Sequence, residues 1–375
     1  MKRLLFFVND AAFFVADSLP IAIAARDAGF EVHILAPPHP QSEQRFTEES
    51  LQFHSVQLSR KGINPFAETL LLLRIIHTLK QIQPDIIHNM TIKPVIYGGL
   101  AARIASINAM SSTITGMGYI MSARALKASI LRTMVMSLYP LAFDHPNAKI
   151  IFQNPDDQDF FIRKHLVKSE QAMLIRGAGV NLETFSPSLT PPSPPIRVTL
   201  VARYIADKGI REFITAARLL KQKRDDICFT LVGSPDAGNP TSLSSGEIDK
   251  AVAEGIIENL GQRDDIASIY HNTHIACLPS YREGLPKSLM EAAACGLPIV
   301  TTNVAGCREV VEHNKNGLLV PARDVDALST AIETLANDEE IRLRMGKYSR
   351  QKAEKEFSQA AVVQANLSMY KLLLS

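Results

Sequence analysis

Two carboxylates lie eight positions apart in SYREGLPKSLMEAAACGLP, residues 280–298. Glu283 falls in a loop after a predicted strand, and Glu291 lies about one turn inside the helix that follows. The residues at the start of that helix are Gly284, Leu285, Pro286, Lys287 and Ser288. The backbone N–H groups of these residues other than Pro286, which has none, would point to the ligand from a positive helix end that suits a diphosphate. Carboxylates bind phosphate poorly, so both are expected to accept hydrogen bonds from hydroxyls, and a nucleotide sugar has hydroxyls on both sides of its diphosphate.

Two cations follow the first predicted strand of the same half of the chain. In VARYIADKG, residues 201–209, Arg203 and Lys208 come just after the strand ends. Carboxyl ends of parallel strands meet at one sheet edge, so these cations are expected near Glu283. Arginine offers a bidentate fork and lysine a point charge, and both stabilise a departing diphosphate.

Each of these residues also has an ordinary structural explanation. An acidic residue near a helix start interacts well with the helix dipole, and a single Arg or Lys is usually a solvated surface residue. The combination of two carboxylates and two cations at one sheet edge favours the binding of a nucleotide sugar.

Length and composition exclude several other classes of protein. A chain of 375 residues, 46% hydrophobic and 21% charged, has ordinary globular composition and room for about two domains. The net charge of +2 gives no indication of nucleic-acid binding. The four cysteines lack disulfide or zinc spacing. Asp157/Asp159 and Asp324/Asp326 fall at predicted helix starts, where Asp is a common cap, so no metal site is expected.

The sequence predicts a cytoplasmic protein without a membrane span. The apolar run after Met1 ends at Asn9, which is too short for a secretory signal. The uncharged stretch 104–123 contains several Ser, Thr and Gly residues and is interpreted as part of a soluble domain.

Short apolar runs alternate with helical patterns, which is typical of a parallel sheet covered by helices on both faces. The predicted strands are residues 4–8, 32–36, 85–88, 112–115, 149–153, 196–202, 227–233, 274–280 and 298–302. The predicted helices are residues 18–28, 66–82, 94–105, 124–140, 155–165, one from about 210, 339–356 and 357–374. Residues 235–261 are expected to form a surface excursion.

Residues 186–195 contain five prolines, which predicts a stiff linker between two doubly wound α/β domains. The first domain is placed at 1–185 and the second at 196–356. The last helix, 357–375, is expected to return to the first domain.

Six segments resemble the retaining glycosyltransferases of family 4, which have the GT-B fold. They are VARYIADKG (201–209), NLGQRDDI (259–266), LPSYREGLPKSLMEAAACGLPIV (278–300), VAGCREVV (304–311), NGLLVP (316–321) and GAGVNLETF (177–185). The resemblance implies two Rossmann-like domains that face a central cleft. It also implies a donor site in the second domain, an acceptor site in the first and no metal cofactor.

The resemblance assigns roles to the residues already singled out. Arg203 and Lys208 would bind the donor diphosphate, Glu283 the hydroxyls of the transferred sugar, and Glu291 the ribose diol. Uracil would lie against the loop that ends at Arg263. Retention would follow a front-face route, in which the leaving phosphate oxygen takes the proton of the acceptor hydroxyl.

The first half departs from the family pattern. Asp17 stands where a basic residue or a His is common, and Thr115 stands where many relatives carry a His. Gly116 and Gly118 would allow close backbone approach to a sugar or phosphate, or could simply form a turn.

His88 and Lys93 follow a predicted strand and are further candidates for the cleft. A single His after a buried strand is often structural, so both explanations stay open for His88. A lysine that opens a helix is unfavourable next to the helix dipole, which indicates an anion nearby.

Residues 50–140 contain nine Lys or Arg against two acidic residues, a local net charge of +7. A polyprenyl diphosphate that carries the acceptor sugar, or an anionic membrane surface, would match this excess. The pattern resembles family members that extend lipid-linked oligosaccharides with hexose or N-acetylhexosamine from a UDP-sugar. It predicts a peripheral protein on the inner face of the cytoplasmic membrane.

Two alternative functions remain open. A GT-B-like epimerase would act on a UDP-sugar without an acceptor, and would need carboxylates and a His around the sugar. A non-catalytic protein that binds nucleotide sugars would keep Arg203, Lys208 and Glu291 but would have no need of Glu283.

Overall fold

The computed structural model describes residues 1–58, 64–116, 126–190, 192–236, 239 and 241–375, which form two units. The first unit comprises Met1–Ala178 and Ala360–Ser375, and the second comprises Gly179–Gln359. The last helix therefore lies almost wholly in the first unit. The proline-rich segment lies in the second unit, where the carbonyl of Ser186 accepts a hydrogen bond from His271.

The first unit contains a seven-stranded parallel sheet in the order β3-β2-β1-β4-β5-β6-β7. Its strands are β1 Lys2–Val8, β2 Phe30–Ala36, β3 Gln52–Ser55, β4 Ile86–Met90, β5 Ala109–Ile114, β6 Ala148–Phe152 and β7 Ala172–Leu174. Its helices are Ala11–Asp17, Leu19–Asp27, Pro40–Glu48, Pro65–Ile82, Ile92–Ile104, Leu126–Phe143, Pro155–Arg163 and, from the C-terminus, Gln359–Leu374.

Helices cover both faces of this sheet because successive residues of its strands point to opposite sides. In β1, Leu5 and Phe7 pack into the core beneath helix Pro65–Ile82. Phe6 packs into the other core, together with Tyr370 of the C-terminal helix.

The second unit contains a six-stranded parallel sheet in the order β10-β9-β8-β11-β12-β13. Its strands are β8 Ile196–Val201, β9 Ile227–Val232, β10 Glu258–Asn259, β11 Ile275–Leu278, β12 Ile299–Thr302 and β13 Gly317–Val320. Its helices are Ile210–Lys221, Ser245–Ala253, Ile266–His271, Lys287–Ala294, Cys307–Val310, Val325–Asn337 and Glu339–Glu356. The predicted fold class, two doubly wound α/β domains, is confirmed.

The predicted strands differ from the observed ones mainly at the sheet edges. Strands β3, β7, β10 and β13 were not predicted, and all four are edge strands of only two to four residues. Such strands have few buried positions and hence a weak apolar pattern. The predicted surface excursion at 235–261 includes helix Ser245–Ala253, and Ile248 and Ala251 bury one face of that helix in the core.

Candidate active site

The order of the second sheet places β8 beside β11, where the winding direction of the sheet reverses. Ligands of doubly wound sheets bind at the carboxyl ends of such a strand pair. Arg203 and the turn Ala206–Lys208 follow β8, and the loop with Glu283 follows β11. The structure thus brings the predicted cations and the first carboxylate to one sheet edge.

Lys208 and Glu283 form an ion pair at the centre of this edge. Lys208 Nζ lies 2.5 Å from Glu283 Oε1, and their side chains are only 19% and 10% exposed. Ser280 Oγ donates to the same oxygen at 2.6 Å. A lysine ammonium has three N–H donors, so Lys208 can hold Glu283 and still bind an anionic ligand at this edge.

Glycines let the surrounding loops pack closely. A Cβ on Gly209, whose φ is +72°, would lie 2.1 Å from the carbonyl oxygen of Pro279. A Cβ on Gly306, whose φ is +77°, would lie 2.5 Å from the carbonyl oxygen of Gly284. The loop that holds Glu283 is consequently fixed against its neighbours on both sides.

Helix Lys287–Ala294 begins directly after this loop, with Pro286 in extended conformation at the N-cap position. Pro286 has no polar side chain to cap the helix, and no acidic residue lies in the first turn. Gly284 and Leu285 are buried immediately before it. The positive end of the helix dipole lies at this loop, where it would favour an anionic ligand.

Glu291 lies one turn inside this helix and is 8% exposed. Burial raises its pKa from 4.5 to about 7, and Lys287, whose Nζ is 3.9 Å from Oε1, opposes the rise. The nearby Tyr270 hydroxyl donates to the carbonyl of Ser288 at 2.9 Å. A buried carboxylate is available here as a strong acceptor for hydroxyls once it is ionised.

Arg203 extends into solvent, with 60% of its side chain exposed, and forms an ion pair with the mostly buried Asp236. Arg263 is tied to Asp265 by two hydrogen bonds of 2.7 and 2.6 Å. Its loop begins at Gly261, whose N–H donates to Asn259 Oδ1 at 3.0 Å. Arg203 is thus anchored beside β8, whereas the Arg263 guanidinium is held within its own loop.

His88 does not form an accessible site. It is fully buried between Tyr370 Oη and Thr113 Oγ1, each 2.7 Å from a ring nitrogen. Burial lowers its pKa to about 3, so the ring stays neutral. The ring links β4 to the C-terminal helix through Tyr370.

Two of the other candidates of the first unit have polar partners in the structure. Lys93 Nζ lies 2.6 Å from Glu68 Oε1, which supplies the anion that its helix-start position indicated. Asp17 accepts a hydrogen bond from Ser18 Oγ at 3.0 Å. Thr115 and Gly116 follow β5, and Gly116 has a φ of +111°. Gly118 lies outside the described residues.

The sequence analysis did not identify two polar residues of the site. Ser280 binds Glu283, and Asp236 holds Arg203. Ser280 could have been suspected because it lies three positions before Glu283. Nothing in the local sequence indicated Asp236, because its partner Arg203 is 33 positions away.

Among the described residues, no group of three or more His, Cys, Asp or Glu side chains is arranged to hold a metal ion. The two Asp-x-Asp pairs lie at helix starts, as predicted. Asp324 Oδ1 caps its helix by accepting from the N–H of Ala327 at 2.9 Å. Asp157 donates its N–H to the cap residue Asn154 at 2.8 Å.

Comparison with known proteins identifies the family. Residues 182–352 match the family described as glycosyl transferases group 1, and residues 3–154 match glycosyl transferase 4-like. The chain is 30% identical over 365 residues to the N,N'-diacetylbacillosaminyl-diphospho-undecaprenol alpha-1,3-N-acetylgalactosaminyltransferase of Campylobacter jejuni, with 94% of each chain covered.

Two further proteins are similar. The UDP-Gal:alpha-D-GlcNAc-diphosphoundecaprenol alpha-1,3-galactosyltransferase of Escherichia coli is 24% identical, with 82% of this chain and 80% of the relative covered. The crystal structure of Anabaena HepE in complex with UDP superposes with a TM-score of 0.79 at 18% identity, covering 99% of this chain and 100% of HepE. The chain therefore belongs to the family 4 glycosyltransferases of GT-B fold.

Proposed function

We propose that the protein transfers a hexose or an N-acetylhexosamine from a UDP-sugar to an acceptor sugar on a polyprenyl diphosphate, with retention of anomeric configuration. The product would serve the assembly of a bacterial surface glycan. The observation that carries the proposal is the cluster at the ends of β8 and β11, where Lys208 and Glu283 meet beside the helix that holds Glu291.

Similar proteins support both the proposed UDP-sugar donor and the proposed lipid-linked acceptor. The names of the Campylobacter and Escherichia proteins describe transfer to a sugar on diphosphoundecaprenol, and the latter name gives UDP-Gal as donor. HepE was solved with UDP.

Each group of the cluster has a role suited to a nucleotide sugar. Lys208, Arg203 and the helix start would bind the diphosphate. Glu283 would accept hydrogen bonds from the transferred sugar, and Glu291 from the ribose. In the front-face route the bond from the anomeric carbon to the diphosphate oxygen breaks, and the acceptor oxygen bonds to the same face. The acceptor proton passes to the departing phosphate oxygen. The cations and the helix end stabilise the charge on that oxygen, so we propose no metal cofactor.

Product analysis tests the proposal. Purified protein would be incubated with a panel of UDP-sugars and a polyprenyl-diphosphate-linked sugar, and the lipid products would be weighed by mass spectrometry. The proposal expects an increase by one hexose or one N-acetylhexosamine, with UDP released only when acceptor is present. Isomerised UDP-sugar without acceptor would support an epimerase instead, and UDP-sugar binding without turnover would support a non-catalytic protein.

We further propose that the protein acts at the inner face of the cytoplasmic membrane, because its acceptor is anchored there. In the described part of the chain, no helix combines the length and hydropathy needed to cross a bilayer. Helix Pro65–Ile82 has an exposed apolar stripe instead, formed by Phe66 (88% exposed), Leu70 (49%) and Leu73 (57%). The exposed cations Arg74 and Lys80 lie on the same helix. An apolar stripe with cations suits an anionic lipid surface.

The double variant Leu70→Glu/Leu73→Glu is expected to reduce binding to vesicles with anionic lipid at least about tenfold, because it replaces apolar contact by charge repulsion. Vesicle flotation measures the bound fraction. The control variant Leu343→Glu changes a leucine of the second unit with similar exposure, 60%. It should bind the vesicles as the wild type does. Flotation of the double variant at the wild-type level would contradict a lipid contact through this helix.

A further inference from the structure

Tyr281 connects three elements of the active site. It lies in the loop after β11, two positions before Glu283. Its backbone N–H donates to the carbonyl of Asp207 at 2.8 Å, in the turn that carries Lys208. Its hydroxyl donates to Glu212 Oε1 at 2.5 Å, in the first turn of helix Ile210–Lys221. Tyr281 therefore joins the two loops that present the Lys208–Glu283 pair, in addition to the ion pair itself.

The Tyr281 ring is held from a second side by Arg323, whose guanidinium carbon lies 4.3 Å from the ring centroid. This is a cation–π contact. Arg323 has a φ of +66°, a left-handed conformation that is unfavourable for a residue with a side chain.

The hydrogen bond from the Tyr281 hydroxyl to Glu212 is not lost through ionisation of the tyrosine at neutral pH. Burial and the neighbouring Glu212 raise the pKa of Tyr281 to about 12, so its hydroxyl stays a donor at neutral pH. The second carboxylate oxygen of Glu212 is buried and has no hydrogen-bond partner among the described residues. The Tyr281 hydroxyl therefore satisfies one oxygen of the Glu212 carboxylate, while the other oxygen has no hydrogen bond in the described part of the chain.

We infer that Tyr281 is a positioning residue, which fixes the distance between Lys208 and Glu283 and so aligns the donor diphosphate with the sugar to be transferred. The inference rests on the proposed function, in which these two side chains bind opposite sides of the bond that breaks. Small misplacements of such groups reduce the rate strongly, because the reacting atoms must be aligned in the transition state.

The test is the steady-state kinetics of Tyr281→Phe in the full chain, with UDP-sugar and lipid-linked acceptor. The variant keeps the ring and its contact with Arg323 but loses the bond to Glu212. We expect kcat to fall about tenfold, while the donor KM stays within about twofold because the variant retains every side chain that would contact the donor. Calorimetric UDP affinity should also match the wild type.

Tyr348→Phe is the matched control. The Tyr348 hydroxyl also donates to a carboxylate, Glu312, at 3.2 Å, and Lys315 Nζ lies 5.8 Å from its ring centroid. It makes the same kind of contact in the same unit, on helix Glu339–Glu356 rather than in the loops of the site. Its kcat should be that of the wild type.

Variants of Glu212 test whether the hydrogen bond between Tyr281 and Glu212 is the cause of the lower kcat. Glu212→Gln keeps an acceptor oxygen for Tyr281 and should retain most of kcat, whereas Glu212→Leu should lose about as much as Tyr281→Phe. The double variant Tyr281→Phe/Glu212→Leu should be no slower than either single one, since all three break one bond.

If the wild type binds UDP and transfers sugar while Tyr281→Phe keeps its kcat, the inference is overturned and the proposed function stands. An equal loss of kcat in Tyr348→Phe overturns it as well, because general loosening of the unit would then explain the effect. If the wild type neither binds UDP nor transfers sugar, the proposed function itself fails.

Discussion

Replacing Lys208 with methionine is expected to reduce kcat by about 100- to 1,000-fold. The diphosphate gains negative charge as it leaves, and Lys208 is the partly buried cation at the centre of the site, 19% exposed and 2.5 Å from Glu283. A cation with little exposure to water stabilises such charge far more than a solvated one. Initial rates with saturating donor and acceptor measure the effect.

Two variants control for general damage to the fold. Lys250→Met removes a lysine from the same unit whose side chain is 76% exposed, and it should act as the wild type does. Lys208→Arg keeps the charge with a different shape and should lie between wild type and Lys208→Met. A kcat for Lys208→Met within about threefold of the wild type would show that this cation does not stabilise the leaving group.

Glu291→Gln is expected to change stability and ligand binding in opposite directions. The folded chain holds a buried carboxyl whose pKa is raised from 4.5 to about 7. The amide needs no ionisation, so the variant should be more stable than wild type by up to about 3 kcal/mol near pH 8. It loses a charged acceptor for the ribose, so UDP affinity should fall roughly 10- to 100-fold.

The sign of the pH dependence follows from the raised pKa. Below pH 4.5 the carboxyl is protonated in both the folded and the unfolded chain, and burial carries no ionisation penalty. As the pH rises from 4.5 to about 7, the unfolded chain ionises first and the folded chain loses stability relative to it. The advantage of Glu291→Gln should therefore be absent at the acidic end of this window and complete above it.

Chemical denaturation at the two ends of this pH window measures the stability difference, and calorimetry at the upper end measures UDP affinity. Glu340→Gln, at an exposed glutamate of the same unit, should change neither quantity appreciably. A Glu291→Gln variant that binds UDP as tightly as the wild type would exclude Glu291 from the ribose site.

The placement of Glu283 and Glu291 was largely predictable because local sequence determines it. The strand, the loop with Glu283, the proline and the helix with Glu291 follow one another between residues 275 and 294, and local chain geometry fixes their order. Lys208 comes from a different segment, but the rule that parallel strands end at one edge was sufficient to place it beside Glu283.

The first unit shows what such reasoning leaves out. Lys93 follows a predicted strand, as Lys208 does, and His88 lies within one, but both side chains are bound by partners from other elements of this unit. Tyr370 of the C-terminal helix closes over His88, and Glu68 of another helix binds Lys93. These partners are far away in the sequence, and hydrophobic periodicity predicts which faces are buried but not which polar side chains meet there.

A structure determined with UDP tests the central claim most directly. The account predicts the diphosphate at the start of helix Lys287–Ala294, with Lys208 and Arg203 on its oxygens and the ribose hydroxyls on Glu291. A nucleotide bound in the first unit, or a diphosphate remote from Lys208, would contradict it.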